Sequence, residues 1–370
     1  MLSADLVKGA AFSVGFDLVG ITDAGPLTDL GQLLRERRES KLESPFITAA
    51  PEERVNPELF LPGARSIIMV GLSYYTDVSR RGGRLRGLFS RSAWGRDYHR
   101  VLGERLSWLG QLLKGFDPGL IYRPFVDTGP LPERELARRA GLGWIGKNTA
   151  LINDVYGSWI FLGGMVMNRE LETDSPVEAD CGECDRCLKA CPAGAIEKPY
   201  LVNPHRCLSY LTQKKGFLAP AERVLLGNRL YGCDTCQEVC PKNAQVKRAS
   251  LPDFSPPGEE SLSLEELLCL TGKEFTDRFG HSAAAWRGKT TLQRNAIIAL
   301  GNSGDPAVIS LLIPFLEHSN PVLRGHGAWA LGKLGSLSAE KALSSALEKE
   351  KEEKVREEIR SALNTIRRHS

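Results

Sequence analysis

No apolar run in this sequence approaches the roughly eighteen residues of a membrane-spanning helix. That absence argues against a membrane protein. Charge of one sign is also scarce. Forty-eight Lys and Arg face 45 Asp and Glu, a net charge of +3, too balanced to argue for nucleic acid from bulk charge alone. The N-terminal stretch does not read as an export signal either. The first sixteen residues carry Asp5 and Lys8 beside only a short apolar stretch, which reads as an amphipathic first helix and a cytoplasmic location. Nor are the cysteines spread as scattered disulfides would be. Of nine, eight fall between Cys181 and Cys240 and only Cys269 stands apart. Without an export signal, such clustering favours metal binding.

What is present divides the 370 residues into parts. Residues 1–175 read as an α/β domain. Ser66–Tyr75 and Ser158–Met167 are strand candidates, with helical stretches at Val101–Leu113 and Leu131–Ala140 between them. Residues 176–249 are rich in Cys, Gly and Pro, and the Ser- and Pro-rich stretch up to residue 260 reads as a linker. Ser263 and Glu266 form a capping-box pattern ahead of the next helix. In residues 260–370, Ala299-Leu300-Gly301 recurs as Ala330-Leu331-Gly332, and Val322, Ala330 and Leu331 are echoed by Val355, Ala362 and Leu363. A repeat of this length, with turns at Asn302–Pro306 and Ser319–Pro321, predicts HEAT-like helical pairs. The charged run Glu348–Arg356 reads as a solvated helix face. The expected class is multidomain α+β.

Cys181, Cys184, Cys187 and Cys191, followed by Pro192, reproduce the spacing of a bacterial ferredoxin. Three thiolates on one tight loop grip three corners of an iron–sulfur cube. The fourth, after a wider gap, ligates the other cube and is expected to start a helix, with Pro192 in its first turn. Cys233, Cys236 and Cys240 with Pro241 match the last three cysteines of the same run, and Cys207 supplies the first from upstream. One 4Fe–4S cluster is therefore assigned to Cys181, Cys184, Cys187 and Cys240. The other takes Cys191, Cys207, Cys233 and Cys236. Zinc sites use four ligands in two-and-two spacing, which this run fits poorly. Cys269, between leucines, reads as a packed core thiol.

Other motifs are weaker. Gly141, Gly143 and Gly146 formally match a dinucleotide fingerprint, but a helical segment precedes them and not a strand. Asn148 stands where a phosphate-binding loop needs Ser or Thr. The plain reading is a flexible turn, the sharper one close approach of backbone to a bulky ligand. Residues 80–100 hold seven arginines, one acid and the aromatic side chains Phe89, Trp94, Tyr98 and His99. Arginine forks bind phosphates and aromatic rings stack on unpaired bases; a basic loop without a partner is the bland alternative. Lys214 and Lys215 add charge, and Gln293, Arg294, Asn295 and Arg324 are candidates to line a concave helical surface. Asp127 ends a probable strand. A turn cap is the ordinary role there, and a general acid raised by burial the functional one.

Taken together, the sequence resembles the epoxyqueuosine reductases, which perform the last step in making the tRNA wobble nucleoside queuosine. The resemblance rests on Ser92–His99, Val126–Gly129, Ala140–Asn148, Arg206–Gln213, Asn228–Gln237 and Trp286–Lys289, and on the order of the three regions. It implies a cobalamin cofactor, which composition and spacing do not indicate. It implies reductive removal of the epoxide oxygen as water, with electrons delivered through two 4Fe–4S clusters. By matching motif, Asp127 would donate the proton, with His99 and Tyr98 beside it. Arg54, Ser90, Asp127, Ser209, Cys233 and Asp234 would contact cobalamin, and Lys215 the tRNA. The implied partners are tRNA with a GUN anticodon and an external electron donor, the protein being a monomer. Two other readings use the same clusters: a corrinoid reductase of small organohalides, and a non-enzymatic electron-transfer or RNA-binding adaptor.

Overall fold

Ser66–Ser73 is buried at all eight positions, yet it belongs to an antiparallel sheet, where one wet face is common. The reason lies in its two faces. Ile68, Val70 and Leu72 point into one apolar cluster with Val7, Ala10 and Ala11 of helix Ala4–Ser13 and Leu102, Leu106 and Leu109 of helix Tyr98–Phe116. Ile67 and Met69 alternate into a second cluster with Phe60, Phe125, Leu136 and Ala137. Helices thus cover both sides. The strand order is Leu18–Asp23, Ser66–Ser73, Ile160–Met167, Tyr122–Phe125, antiparallel at every junction. Gly164 keeps the sheet tight: a Cβ there would lie 2.5 Å from the Phe125 ring.

The structure is a computed structural model, and it describes residues 2–78, 83, 85–256 and 261–369. Arg80, Arg81 and Arg84 of the basic segment lie outside the described residues. Two compact units form. The first comprises Met1–Asp77, Arg96–Cys207 and Asp234–Ser255; the second comprises Val78–Gly95, Leu208–Cys233 and Pro256–Ser370. Among the described residues no helix is long and apolar enough to cross a membrane.

In the second unit, Arg86–Phe89 pairs with Arg229–Tyr231 on one side and Ser261–Ser263 on the other. Ser263 caps helix Leu264–Cys269 by accepting from the Glu266 N–H. Helices Lys289–Ser303, Pro321–Leu334, Leu337–Lys349 and Glu353–His369 follow. The repeated Ala-Leu-Gly is their stacking contact. A Cβ on Gly301 would sit 2.9 Å from the Ala330 Cβ, and one on Gly332 would sit 2.5 Å from the Ala362 Cβ. Each glycine therefore admits the next repeat at backbone distance.

Several expectations need correction. Cys191 ends helix Arg186–Ala190, and Pro192 lies in a turn; no helix begins there. Cys269 is exposed, because Leu264, Leu267 and Leu268 form the buried stripe of its helix and Cys269 falls off that stripe. The linker reading fails for Pro252–Phe254, a turn whose Phe254 is fully buried against Phe161. Glu348–Arg356 is not one solvated face. It spans a helix end and the next helix start, and the side chain of the half-buried Glu350 is covered under two bonds from Arg324. Gln293, Arg294 and Asn295 line no surface. All three are buried, and they hold backbone carbonyls: Gln293 that of Leu268, Arg294 those of Lys214, Gly216, Leu211 and Thr212, and Asn295 those of Thr212 and Leu230.

Candidate active site

The first unit sets its most reactive groups at one end of helix Tyr98–Phe116. Asp97 caps that helix, accepting the His99 N–H at 3.0 Å. The same carboxylate takes His99 Nδ1 at 2.7 Å. His99 Nε2 then stands 3.2 Å from the Asp127 carboxylate. Behind the imidazole, Tyr98 stacks on it at 4.1 Å and on Phe161 at 4.3 Å, so the ring is aimed by packing as well as by hydrogen bonds. The Tyr98 hydroxyl also donates to Asp127.

Asp127 lies just past the strand Tyr122–Phe125, with φ at +48°. That left-handed conformation is uncommon for a residue with a side chain. A nearby carboxyl holds it: the Asp127 N–H donates to Glu133 in the first turn of helix Glu133–Arg139. The Asp127 side chain is 57% exposed and that of His99 32%.

Opposing effects set the charges. Burial pushes His99 down, but its bonds to Asp127 and Asp97 and their charges lift it to about 9. Burial pushes Asp127 up; the bonds from His99 and Tyr98, and the charges of His99 and Arg134, hold it below the usual carboxylate value. At neutral pH the pair is therefore imidazolium and carboxylate, with its proton on the imidazole. Glu133 behaves oppositely: burial, then the Asp127 charge, lift it to about 8. Asp127 is thus open to solvent, with the half-buried Glu133 behind its loop.

Two arginines bear on the charge of this region. Arg134 donates to the Thr149 carbonyl at 2.6 Å, and its charge reaches both Asp127 and Arg54. Arg54, 13% exposed, lies 4.0 Å from Glu43. Burial, and then the charges of Arg134, Arg38 and Arg37, outweigh Glu43 and hold Arg54 below its usual range.

Burial pushes the Cys187 thiol up, helped by Cys181 and Cys240, and pushes Cys240 up, helped by Cys181 and Cys184. These four therefore converge. The Cys181 sulfur accepts the Lys147 N–H at 3.4 Å and the Cys191 sulfur the Ala195 N–H at 3.2 Å, the polarising bonds that thiolates take. Among the described residues, no three His, Cys, Asp or Glu side chains are close enough to grip a single metal ion. Cys191, Cys207 and Cys236 lie in the first unit with those four, and Cys233 at the edge of the second.

The glycines from 141 to 146 serve packing. A Cβ on Gly143 would lie 2.2 Å from the Ile152 carbonyl in the small hairpin of Trp144–Ile145 and Leu151–Ile152. Of the remaining sequence candidates, Asp234 is buried in the first unit. Ser90, Ser209 and Lys215 belong to the second. Ser90 is buried, with its hydroxyl 2.8 Å from that of Ser92. Ser209 is half-buried and Lys215 exposed, while Lys214 pairs with Glu222 at 3.0 Å.

Comparison with known proteins bears on what this assembly is. A family described as Epoxyqueuosine reductase QueG, DUF1730, matches residues 54–128, a 4Fe-4S double cluster binding domain residues 180–243, and HEAT repeats residues 287–364. The epoxyqueuosine reductase of Bacillus subtilis is 40% identical over 373 residues, 99% of this chain and 96% of that protein. That of Escherichia coli is 36% identical over 346 residues, 89% of each. The chain belongs to the epoxyqueuosine reductase family. A crystal structure of an epoxyqueuosine reductase with an epoxyqueuosine-modified tRNA-Tyr stem loop matches with a TM-score of 0.94 at 39% identity, over 98% of both chains. The Streptococcus thermophilus epoxyqueuosine reductase matches at 0.91 and 32% identity, over 99% of this chain and 100% of the other.

Within this epoxyqueuosine reductase, the structure brings together residues that sequence reasoning passed over. Asp97 precedes His99 by two positions, and an acid there is a helix-cap signal. Glu133 follows Asp127 by six, and its link to that backbone has no local signature. Arg134 was legible only as one more charge.

Proposed function

We propose that this enzyme reduces epoxyqueuosine to queuosine in tRNA, removing the epoxide oxygen as water with electrons passed through two 4Fe–4S clusters. The observation that carries this reading is the match along almost the whole chain to epoxyqueuosine reductases. The site's chemistry supports it. The epoxide oxygen leaves as water by taking two electrons and two protons, and the His99–Asp127 pair holds one of those protons at neutral pH. Asp127, open to solvent, presents that proton, drawing it from His99, while Tyr98 and Asp97 fix the imidazole. Glu133 keeps the Asp127 loop in place. The convergence of Cys181, Cys184, Cys187 and Cys240 supports their assignment to one cluster; the other takes Cys191, Cys207, Cys233 and Cys236.

The cofactor in this reading is cobalamin. Its corrin ring is rimmed by amide side chains, which need both donors and acceptors. The first unit offers both, in Arg54 and Arg134 and in the solvent-open Asp127 carboxylate, so the residues fit. Arg54, Asp127 and Asp234 of the first unit would hold it, and bound there it supplies a low-potential reductant for the epoxide. Ser90, Ser209 and Cys233 as cobalamin contacts, and Lys215 as a tRNA contact, rest on the resemblance. So do a GUN anticodon, an external electron donor and a monomeric state; a cytoplasmic location and the division into residues 1–175, 176–249 and 260–370 are carried by the sequence reading alone. The test is turnover: anaerobically purified protein should convert epoxyqueuosine to queuosine in tRNA under a low-potential reductant, and Asp127→Ala should not. Equal turnover by both proteins would remove Asp127 from the reaction.

A further inference from the structure

Trp286 projects from an anchored turn of the second unit. It sits in the turn Ala283–Arg287, whose Ala283 and Ala284 are buried. Ser282 anchors the turn, capping the Ala284 N–H at 3.2 Å and donating to the Ala93 carbonyl at 2.7 Å. Gly288, at φ +80°, closes it. Trp286 itself remains 54% exposed. Exposure alone would not single it out, since lone surface apolar side chains are common and Trp108 is 53% exposed as well; what distinguishes Trp286 is how it is held.

The ring is also held in one orientation. The Arg287 guanidinium lies 3.9 Å from its centroid. Its Nε1–H donates to the Gln213 Oε1 at 3.0 Å, and Gln213 Nε2 donates to the Ser209 carbonyl at 2.9 Å. Two residues after Gln213 comes the exposed Lys215. The loop that carries it is fixed from below by the buried Arg294, bonded to the carbonyls of Lys214 and Gly216. An exposed aromatic plane, backed by a guanidinium and hydrogen-bonded to Gln213 two residues before the exposed Lys215, is the arrangement that grips an unpaired base and its phosphate.

We propose that Trp286 is a stacking platform for an unpaired nucleobase of the tRNA anticodon loop, with Arg287 behind the ring, Gln213 fixing its edge and Lys215 taking the adjoining phosphate. This inference rests on the RNA reading above and adds a site to it. Occupation of the platform by an apolar side chain of a protein partner is the competing outcome.

The experiment uses the cluster-loaded enzyme and anticodon stem-loops carrying 2-aminopurine at each unpaired position in turn. With the unsubstituted protein, one position should be strongly quenched on binding, and Trp286→Ala should abolish that quenching. Trp286→Ala should weaken binding by about 5- to 150-fold while leaving the salt dependence unchanged. Lys215→Ala should reduce the slope of log affinity against log salt by about 0.7 to 0.9. Trp286→Phe, which stacks but lacks the N–H, should fall between the two tryptophan proteins. If Trp286→Ala binds and quenches as the unsubstituted protein does, the platform is overturned and the RNA reading stands. Trp286→Phe as weak as Trp286→Ala would make the tryptophan a structural anchor and overturn it too. No RNA binding by the unsubstituted protein would overturn the platform together with the reading beneath it.

Discussion

Asp97→Asn is the sharpest probe of where the proton is kept. Asparagine caps a helix as well as aspartate does, so helix Tyr98–Phe116 should persist, and its side-chain oxygen can still accept from His99. What is lost is one negative charge, 2.7 Å from Nδ1. With an effective dielectric between about 40 and 80 for this half-exposed pair, that charge contributes about 1.5 to 3 kcal/mol, or one to two pKa units. His99 should fall from about 9 to about 7–8. The sign follows from which form is active. If imidazolium supplies the proton, activity is lost as pH rises through the His99 value, so the alkaline limb of kcat/KM should move acidward by the same amount. At pH 8.5 the variant should be slower by about three-fold or more, with little change near pH 6. The assay is queuosine formation on an epoxyqueuosine-containing stem-loop, read by mass spectrometry across pH. An alkaline limb that stays near 9 in the variant would refute the assignment of the proton to His99. The same groups bear on stability. Folded-state pairing of a raised histidine is fully present below about 6.5 and disappears as pH rises through about 9.

Two further perturbations test other parts of the account. Cys207→Ala should lose mainly one cluster, about half the iron; full iron content would refute the ligand assignment. Arg294→Met should strand the Lys214, Gly216 and Leu211 carbonyls, cost about 3 kcal/mol or more, and lower the second unit's unfolding midpoint by roughly 6 °C. A midpoint unchanged within about 2 °C would show that those carbonyls find other partners.

Legibility in the sequence tracked how local the cause was. The doubly buried strand Ser66–Ser73 was visible because every residue of it is apolar or small. The repeat in the helical region was visible because a glycine is needed wherever one helix touches the next, and that need recurs at Gly301 and Gly332. Cysteine spacing was visible because cluster geometry fixes it. The failures share a nonlocal origin. Gln293, Arg294 and Asn295 look like surface residues, but their partners are carbonyls about eighty residues upstream for Arg294 and Asn295 and twenty-five for Gln293. Glu350 looks solvated in a charged run, yet Arg324 of the preceding repeat draws it inward. Within the site, Asp127 was legible as a carboxyl at a strand end, but its ionisation was not. The expectation was an acid raised by burial. The structure instead surrounds it with His99, Tyr98 and Arg134, which move the proton to the imidazole.

Anaerobic purification with iron and cobalt quantification, followed by an assay on epoxyqueuosine-containing tRNA, tests the central claim most directly. The account predicts a brown protein with close to eight irons, cobalt on reconstitution with cobalamin, and queuosine as product. A colourless, iron-free protein with zinc on the same thiols, and epoxyqueuosine left unchanged, would contradict it.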